Sequence, residues 1–257
     1  MAECIILTGA SAGIGAALAP MLSGPGVKIA ISGRRIDRLE VVAQQCRARG
    51  AEVRTDVINF GDPEAAENYA KEVEEEFGRV DVLVNNAATP MRRRVQQLSI
   101  PELTTTMATN FESPVRMTLA LLSGMISRNT GVIVNVSSMG GRAGIAAESA
   151  YCASKFALCG WTESLAMDLW RTGIRVRLVL PGPIATDIWD RPGNDPAHYD
   201  GDLESPETVA QVIVDAINGD QFEYYVPNVK PVVEFKTAAI EMFIEGAVQY
   251  TEAKEKK

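Results

Sequence analysis

The amino-acid sequence predicts an α/β fold in which helices cover both faces of a parallel sheet. Short apolar runs of strand length alternate along the chain with longer segments whose apolar residues recur at helical spacing. The first run, Cys4-Ile5-Ile6-Leu7, passes directly into a glycine-rich turn and then a helix. This alternation is typical of doubly wound sheets, in which each helix crosses back to the next parallel strand.

The elements follow one another without a linker, a repeat or a low-complexity break, so residues 1–257 are expected to form one domain. Pro20 removes a hydrogen bond inside the first helix and is expected to kink or shorten it before the turn at 23–26. The predicted strands are 3–8, 27–32, 51–55, 80–84, 131–137, 174–180 and 223–226. The first predicted helix follows Gly15, and the others span 36–49, 63–77, 101–108, 114–128, 149–171, 206–218 and 232–250.

Composition and charge exclude several classes of protein. The net charge of -8 argues against nucleic-acid binding, because an acidic surface repels phosphates. The chain lacks an apolar run of membrane-spanning length and begins without a signal segment, so a cytoplasmic protein is expected. Four cysteines lack the spacing of a metal or redox motif, and His198 is the only histidine. A metal site and a Ser-His hydrolase therefore lack their usual side chains, and no metal is expected.

The glycine-rich turn after the first strand predicts a nucleotide site. Its glycines are spaced G-x-x-x-G-x-G, unlike the G-x-G-x-x-G dinucleotide fingerprint. A strand, a glycine turn and a helix together present backbone N–H groups to a pyrophosphate. The alternative is a tight turn without a ligand. The residues expected to contact a dinucleotide here are Gly9, Ser11, Gly13, Ile14 and Gly15.

Tyr151 and Lys155 predict a proton-transfer site. Residues four apart on a helix share one face, so the ammonium of Lys155 can lie close to the phenol of Tyr151. A nearby positive charge favours the phenolate and is expected to lower a phenol pKa from its ordinary value of about 10. Ser138, at the end of a predicted strand, joins them at the sheet edge where parallel sheets build sites. By itself, the Tyr-Lys pair is common on helices that have no catalytic role.

Together these motifs resemble the single-domain short-chain dehydrogenase/reductase family, from about residue 3 to residue 187. The resemblance implies a Rossmann-like doubly wound parallel sheet with helices on both faces. The motifs that carry it are Thr8 to Gly15, Asp56-Val57, Asn85-Asn86-Ala87-Ala88, Asn110, Ser137-Ser138, Tyr151 to Lys155 and Pro181 to Thr186.

The resemblance also implies a role for each site residue. Ser138 hydrogen-bonds the substrate oxygen, Tyr151 is the general acid/base, Lys155 holds the nicotinamide ribose, and Asn110 orients a water. Asp56 is expected to accept a hydrogen bond from the adenine amine, although an aspartate in this place is often only a cap. The other expected cofactor contacts are Val57, Asn86, Ala87, Pro181, Gly182, Ile184 and Thr186.

The end of the second strand predicts the choice of cofactor. In dinucleotide folds an acid here binds a free 2′-hydroxyl, whereas an arginine accommodates a 2′-phosphate. The chain has Arg34 and Arg35 and no acid, which predicts NADP(H) in preference to NAD(H), with Arg34 as the main contact. Ser32 and Arg35 are the expected helpers. Alternatively, both arginines only solubilise the start of a helix.

The segments around the cleft are less informative. Residues 187–205 are rich in turn formers and are expected to form a lid, with Trp189 and Tyr199 lining the site. Met139 and Glu148 lie near enough to the catalytic pair to influence specificity. The run Arg92-Arg93-Arg94 has three interpretations: an anionic-substrate contact, a solvated loop or a subunit contact. The helix at 232–250 closes the site, packs on a partner subunit or, least favoured because of its glutamates, lies on a membrane.

The sequence favours an oxidoreductase that transfers hydride between NADP(H) and a carbonyl or secondary alcohol. The preferred substrates are small lipid-like, steroid or retinoid carbonyls, and the runner-up is a 3-oxoacyl thioester. Sugar-nucleotide epimerases and dehydratases share the Tyr-Lys pair but have longer carboxyl regions, and a non-catalytic nucleotide sensor is expected to lack Tyr151 or Lys155. The family resemblance implies a homodimer or homotetramer.

Overall fold

A computed structural model describes residues 3–255. Within that range, seven parallel strands form one sheet in the order β3-β2-β1-β4-β5-β6-β7. The predicted doubly wound fold is thereby confirmed. The strands are β1 (Glu3–Thr8), β2 (Val27–Gly33), β3 (Glu52–Val57), β4 (Val82–Asn85), β5 (Gly131–Val136), β6 (Ile174–Pro181) and β7 (Glu223–Val226).

Helices connect the strands and cover both faces of the sheet. A π-helical turn, Ala108–Glu112, joins α4 to α5, and a short 3₁₀ turn, Met139–Gly141, follows β5. The helices are α1 (Gly13–Met21), α2 (Ile36–Ala48), α3 (Pro63–Phe77), α4 (Ile100–Met107), α5 (Ser113–Arg128), α6 (Ser149–Asp168), α7 (Pro206–Asn218), α8 (Lys230–Ala238) and α9 (Ile240–Glu255). None of them, over the residues described, combines the length and the apolar character needed to cross a bilayer.

The sheet is buried on both faces because each strand contributes to two cores. Along β1, Ile5 and Leu7 pack with the buried residues of α1, α2 and α7. Ile6, between them, packs instead with those of α3 and α5. Successive side chains of a strand point to opposite faces, so a continuous apolar run is what a sheet covered on both sides requires.

The strand order positions the site. The chain moves outward from β1 to β3 and then crosses back to place β4 on the other side of β1. In open parallel sheets the crevice for ligands lies at the carboxyl ends of the strands, at such a reversal. The loops after β1, β4, β5 and β6 meet there.

Helix bounds agree best with the sequence where local capping chemistry fixes them. Asp62 accepts hydrogen bonds at 3.2 Å from the N–H groups of Glu64 and Ala65 at the start of α3, and Gly78 ends that helix with a φ of 79°. These are strong start and stop signals. The first helix ends at Met21, one residue after Pro20, so the proline lies in its last turn.

Most bounds agree with the sequence to within two residues, and two elements differ more. Helix α6 ends at Asp168, three residues before the predicted end. The single helix predicted at 232–250 is two helices, because Ala239 has φ -147° and ψ 65°, which is not helical backbone. Apolar residues continue at helical spacing on both sides of Ala239, so the sequence pattern does not reveal the break.

Candidate active site

A cavity of about 870 Å³ opens at the carboxyl ends of the central strands. It brings together most of the residues predicted for cofactor binding and catalysis. Those that line it are Gly9, Ser11, Gly13, Ile14, Arg34, Arg35, Asn86, Ala87, Ser138, Tyr151, Lys155, Pro181, Gly182, Ile184 and Thr186. The predicted residues that do not line it are Gly15, Ser32, Asp56, Val57 and Asn110.

The glycine-rich turn is shaped so that only glycines fit. Gly9 has a φ of +71°, and a Cβ there would lie 2.8 Å from the Cα of Ala87. A Cβ on Gly15 would lie 2.4 Å from the carbonyl oxygen of Gly9, so Gly15 allows α1 to pack against the turn. Ala12 begins α1 without a side-chain cap, which leaves backbone N–H groups at the helix start to face the cavity. This arrangement fits a pyrophosphate.

A cluster of arginines lies at the outer end of the same cavity. Arg34, Arg35 and Arg38 all line it. Arg35 and Arg38 hydrogen-bond the carboxylate of Asp187 at 3.1 and 2.6 Å, whereas Arg34 has no anionic partner among residues 3–255. Burial and the charges of Arg191 and Arg35 lower the pKa of Arg34. An anion here would relieve this repulsion.

Sequence reasoning missed Arg38, although its position one helical turn after Arg34 was an available signal. Ser32, predicted as a helper, is fully buried and lies away from the cavity wall. Ser32 therefore does not join the arginine cluster in this structure.

The predicted adenine contacts also lie away from the cavity wall. The carboxylate of Asp56 accepts hydrogen bonds from the guanidinium of Arg54 at 2.9 to 3.1 Å, and Val57 is exposed. Instead, Asn59, Phe60 and Gly61, the segment just beyond, line the cavity. Sequence reasoning did not identify these three residues, and the contacts of Asp56 and Val57 with adenine stay predictions.

The three catalytic candidates share one wall of the cavity. Ser138 follows β5, where its Oγ accepts a hydrogen bond from the N–H of Gly140 at 3.0 Å and donates to the carbonyl of Pro181 at 3.4 Å. Tyr151 lies in the first turn of α6, and the Nζ of Lys155 is 5.9 Å from the centroid of its ring. The Lys155 ammonium is buried and donates to the carbonyl of Val136 at 3.0 Å.

The acid/base properties of this pair differ from the sequence-based expectation. Burial raises the pKa of Tyr151, and the side-chain hydrogen bond with Ser138 lowers it only in part. Burial also lowers the pKa of Lys155 from 10.5 to about 8. The expectation that Lys155 brings the tyrosine pKa below its usual range is not met in this arrangement, because desolvation of the buried phenol dominates.

Asn110 supports the catalytic wall without reaching it. It lies in the π-helical turn and is fully buried. Its amide oxygen accepts a hydrogen bond from the Thr89 N–H at 2.8 Å, and its Nδ2 donates to the Thr89 carbonyl at 2.9 Å and to the Ser154 Oγ at 3.0 Å. The Ser154 hydroxyl in turn donates to the carbonyl of Tyr151. Asn110 therefore ties the loop after β4 to the start of α6, and its water-binding role stays a prediction.

A second buried network, which sequence reasoning missed, fixes α6 to the sheet. The Nδ2 of Asn85 donates to the Asn135 amide oxygen at 2.8 Å, and the Nδ2 of Asn135 donates to the Thr162 hydroxyl at 2.9 Å. All three side chains are buried. Polar side chains at inward positions of otherwise apolar strands were the available signal.

The segment at 187–205, which is predicted to form a lid and is called the lid below, is held in place by Arg92. This side chain is only 5% exposed, and its guanidinium donates hydrogen bonds to the backbone carbonyls of Ile188, Trp189 and Asp195. It also lies over the Trp189 ring at 5.7 Å, and that ring stacks on Tyr199. Arg92 therefore binds the lid, which none of the three interpretations of the arginine run anticipated.

The carboxyl-terminal helix α9 covers the opposite side of the cavity. Phe243, Ala247 and Tyr250 line it. The Tyr250 hydroxyl donates to the Asp200 carboxylate at 3.0 Å, and Lys254 pairs with the same carboxylate. Of the roles considered for this helix, closing the site is the one that these contacts support.

Known proteins resemble this chain over most of its length. The family model described as short chain dehydrogenase matches residues 3–196. The mouse dehydrogenase/reductase SDR family member 7 is 37% identical over 187 residues, which cover 71% of this chain and 55% of the mouse protein. The 3-oxoacyl-(acyl-carrier-protein) reductase FabG of Vibrio cholerae is 34% identical over 183 residues, covering 71% of this chain and 74% of FabG.

The oxidoreductase YxnA of Bacillus subtilis is 31% identical over 231 residues, covering 87% of this chain. The matched segments span 55% of the mouse protein and 65% of YxnA, less than two thirds of each.

Solved structures show the same fold. The F189W actinorhodin polyketide ketoreductase with NADPH aligns with a TM-score of 0.77 and 29% identity, covering 88% of this chain and 95% of the ketoreductase. A short-chain dehydrogenase/reductase from Burkholderia phymatum in complex with NAD aligns with a TM-score of 0.82 at 23% identity, covering 94% of this chain and 95% of that protein. The chain therefore belongs to the short-chain dehydrogenase/reductase family of NAD(P)-dependent oxidoreductases.

Proposed function

We propose that this protein interconverts a carbonyl and a secondary alcohol, with Tyr151 as the general acid/base. The observation that carries the proposal is the convergence of Ser138, Tyr151 and Lys155 on one wall of a cavity whose neighbouring wall is the glycine-rich turn. When bound, the nicotinamide cofactor supplies or accepts the hydride. Its pyrophosphate is held by the turn and by the amino end of α1.

In the reductive direction, Ser138 donates a hydrogen bond to the substrate oxygen and Tyr151 donates the proton. The raised pKa of Tyr151 keeps the phenol protonated at neutral pH, which a proton donor requires. Lys155 places a buried positive charge beside the ring and stabilises the phenolate that forms after transfer. With a pKa of about 8, Lys155 is itself mostly protonated at neutral pH. Oxidation of an alcohol uses the same groups in reverse.

Replacing the phenol tests this assignment. We expect Tyr151→Phe to lower kcat by about a thousandfold or more, because acid/base catalysis contributes on the order of 10² to 10⁴ and the buried site offers no ready substitute. NADPH binding, followed by fluorescence, is expected to stay within about threefold of wild type. Tyr225→Phe is the matched control, since Tyr225 lies on β7 and does not line the cavity. Substantial turnover in Tyr151→Phe would refute the assignment.

We further propose NADP(H) as the preferred cofactor, with Arg34 as the main contact of the 2′-phosphate and Arg35 and Arg38 beside it. The support is the three guanidinium groups at one end of the cavity with Asp187 as the carboxylate that pairs with two of them. A charge-assisted hydrogen bond contributes about 1.5 to 3 kcal/mol, which corresponds to roughly a 10- to 100-fold preference.

The cofactor proposal is tested by kcat/KM with NADPH and with NADH. Arg34→Ala is expected to lower the NADPH-to-NADH ratio by about tenfold or more, and Arg38→Ala by less, because Arg38 already pairs with Asp187. Arg49→Ala, at the far end of α2, is the control. An unchanged ratio in Arg34→Ala removes Arg34 from this role.

For the substrate, we propose an apolar carbonyl compound of lipid-like, steroid or retinoid type. The support is the apolar lining supplied by Met139, Ile145, Trp189 and Phe243. A 3-oxoacyl thioester is the second candidate, favoured by the likeness to FabG. An assay of NADPH oxidation across ketones, aldehydes, steroids and 3-oxoacyl thioesters separates the two. A catalytically silent nucleotide sensor predicts no oxidation with any of them.

We also propose that the chain forms a single domain with its lid at 187–205, and that it acts as a homodimer or homotetramer in the cytoplasm. The support for one domain is the single sheet that collects every strand of the described part. Light scattering after gel filtration tests the assembly, and a monomer at micromolar concentration would contradict it.

A further inference from the structure

Glu148 is a carboxylate in the cavity that the proposed chemistry does not use. It immediately precedes α6, three residues before Tyr151, and lines the cavity with it. A side-chain oxygen at this position can accept hydrogen bonds from the first backbone N–H groups of a helix. Glu148 makes no such hydrogen bond.

The backbone just before Glu148 is strained. Ala147 has a φ of 60°, in the left-handed region that residues with a Cβ rarely adopt. The conformation is held by a hydrogen bond of 2.6 Å from the Arg93 N–H to the Ala147 carbonyl. Strained backbone of this kind occurs at functional sites, where surrounding contacts maintain it. Here it accompanies a carboxylate that lies on the cavity wall.

The carboxylate of Glu148 also has no bonded partner in the part of the chain that the structure describes. No group in residues 3–255 forms a hydrogen bond or an ion pair with it. Arg92 is the charge that acts on it, but the guanidinium of Arg92 is already bound to three lid carbonyls. Burial therefore raises the pKa of Glu148 to about 7. A partly buried, unpaired carboxylate is unfavourable, and a ligand that donates a hydrogen bond to it would offset that cost.

We propose that Glu148 is a specificity-determining residue that binds a hydroxyl or ammonium group carried by the substrate beside its reacting carbonyl. The inference rests on the proposed function, because it takes the oxygen that meets Ser138 and Tyr151 as the reference point. It narrows the substrate to a ketone with a hydrogen-bond donor close to the carbonyl and an apolar remainder.

The position of Glu148 sets how far the donor lies from the carbonyl. Glu148 and Tyr151 line the same cavity, and the charge of Glu148 helps to raise the pKa of Tyr151, so the carboxylate lies within electrostatic range of the phenol. A substrate whose oxygen meets Tyr151 therefore presents to Glu148 a group close to that oxygen. Met139, Ile145 and Trp189 supply apolar surface for the rest of the molecule. A 3-oxoacyl thioester offers Glu148 only a carbonyl, which cannot donate to the carboxylate and can pair only with the protonated form of Glu148.

The test compares three ketones that differ in one group. The carbon next to the carbonyl carries a hydroxyl in 2-hydroxy-1-phenylethanone, an amino group in 2-amino-1-phenylethanone and a methyl group in propiophenone. Initial rates of NADPH oxidation give kcat/KM for wild type, Glu148→Gln, Glu148→Leu and the surface control Glu75→Gln. Glu75 is exposed on α3, away from the cavity. Thermal unfolding and NADPH binding of each variant exclude a folding defect.

We expect wild type and Glu75→Gln to prefer the hydroxy and amino ketones over propiophenone by about 10- to 100-fold, the range for a hydrogen bond to a charged group. Glu148→Leu is expected to lower both ratios to near one. Glu148→Gln retains an oxygen acceptor but no charge, so the preference for the ammonium should fall further than that for the hydroxyl. The loss should appear mainly in KM, since the donor binds Glu148 before and during the reaction.

The outcomes separate this inference from the proposed function. Equal ratios in wild type and Glu148→Leu overturn the role of Glu148, while NADPH oxidation with any of the ketones upholds the reductase. Failure of wild type to oxidise NADPH with all three, together with normal NADPH binding, counts against both. When the same assay is run with a 3-oxobutanoyl thioester, a preference for the thioester over all three ketones also overturns the assignment of Glu148.

Discussion

The catalytic wall and the lid of this protein are built in different ways. Ser138 follows β5 and Tyr151 lies on α6. A buried network through Asn135 joins these two elements, and another through Asn110 joins α6 to the loop after β4. The lid has neither a strand nor a helix of its own. It is held by hydrogen bonds from Arg92 and by the contact of Tyr250 on α9 with Asp200.

This difference suggests that the wall governs the chemical step and that the lid governs substrate access. The catalytic side chains sit on regular elements whose hydrogen bonds are protected from solvent, which favours fixed geometry. The lid depends on a few side-chain contacts, several of them exposed, and such segments open at low cost in free energy. We therefore expect changes at the wall to act mainly on kcat and changes at the lid to act mainly on KM.

Lys155→Met gives the largest expected effect and tests the wall. We expect kcat to fall by about a thousandfold, because the charge that stabilises the phenolate is lost. We expect no comparable loss in the free energy of unfolding. The pKa of Lys155 is lowered to about 8, so the folded protein pays a desolvation cost below that pH and the unfolded chain does not.

The same lysine predicts a pH dependence of stability. Between about pH 8 and 10.5 the unfolded chain holds this proton and the folded protein has released it, so the free energy of unfolding rises with pH over that window. The contribution is at most about 3 kcal/mol for a shift of this size. Denaturant unfolding of wild type and Lys155→Met at pH 7.5 and 10 measures it, with Lys71→Met as the surface control. A constant difference between the two proteins contradicts the assigned pKa.

Arg92→Ala tests the lid and comes second in size. Losing three donors to lid carbonyls is expected to lower kcat/KM by about 10- to 100-fold, chiefly through KM. The Kd for NADPH should change little, because the glycine-rich turn does not contact Arg92. Limited proteolysis should become faster within 187–205. Arg92→Lys should give an intermediate result, since one ammonium cannot reproduce the guanidinium geometry.

An equal fall in kcat with unchanged KM for Arg92→Ala would break the proposed division, since it would mean that the lid shapes the chemical step. Arg116→Ala, at exposed ion pairs on α5, is the control for loss of a guanidinium.

Asp200→Ala tests the contact between α9 and the lid, and its expected effect on the kinetics is the smallest of the three. It removes the acceptor shared by Tyr250 and Lys254, which are the contacts that join α9 to the lid. Exposed ion pairs and hydrogen bonds of this kind contribute little, so we expect KM to rise about two- to fivefold with kcat unchanged or slightly raised. Asp202→Ala, two residues along the lid, is the matched control. Identical KM values for the two variants would mean that α9 does not hold the lid.

The sequence predicted the fold well, and it identified the candidates on the catalytic wall, because both rest on local signals. Strand β1, the glycine turn and α1 follow from consecutive residues, and α3 from its Asp62 cap and Gly78 stop. Ser138, Tyr151 and Lys155 were found from a motif and from the rule that parallel sheets build sites at their carboxyl edge. The break between α8 and α9 was missed because the apolar spacing runs through Ala239.

Contacts between distant parts of the chain were beyond this reasoning. The sequence does not indicate that Arg92 bonds residues about a hundred positions away. It also does not indicate that the carboxylate of Asp56 is paired with Arg54 and is therefore not free. The direction of the pKa shift of Tyr151 was also wrong, because the degree of burial is a property of packing.

By itself, the sequence determined the order of strands and helices, the glycine turn and the candidates for an acid/base pair, since periodicity, steric freedom and side-chain chemistry act over a few residues. The tertiary structure alone decided which arginines share the outer end of the cavity, how the lid is fastened, and that Glu148 lines the cavity without a partner among residues 3–255. Those features depend on desolvation and on hydrogen bonds between segments far apart in the chain, and both exist only after the chain has packed.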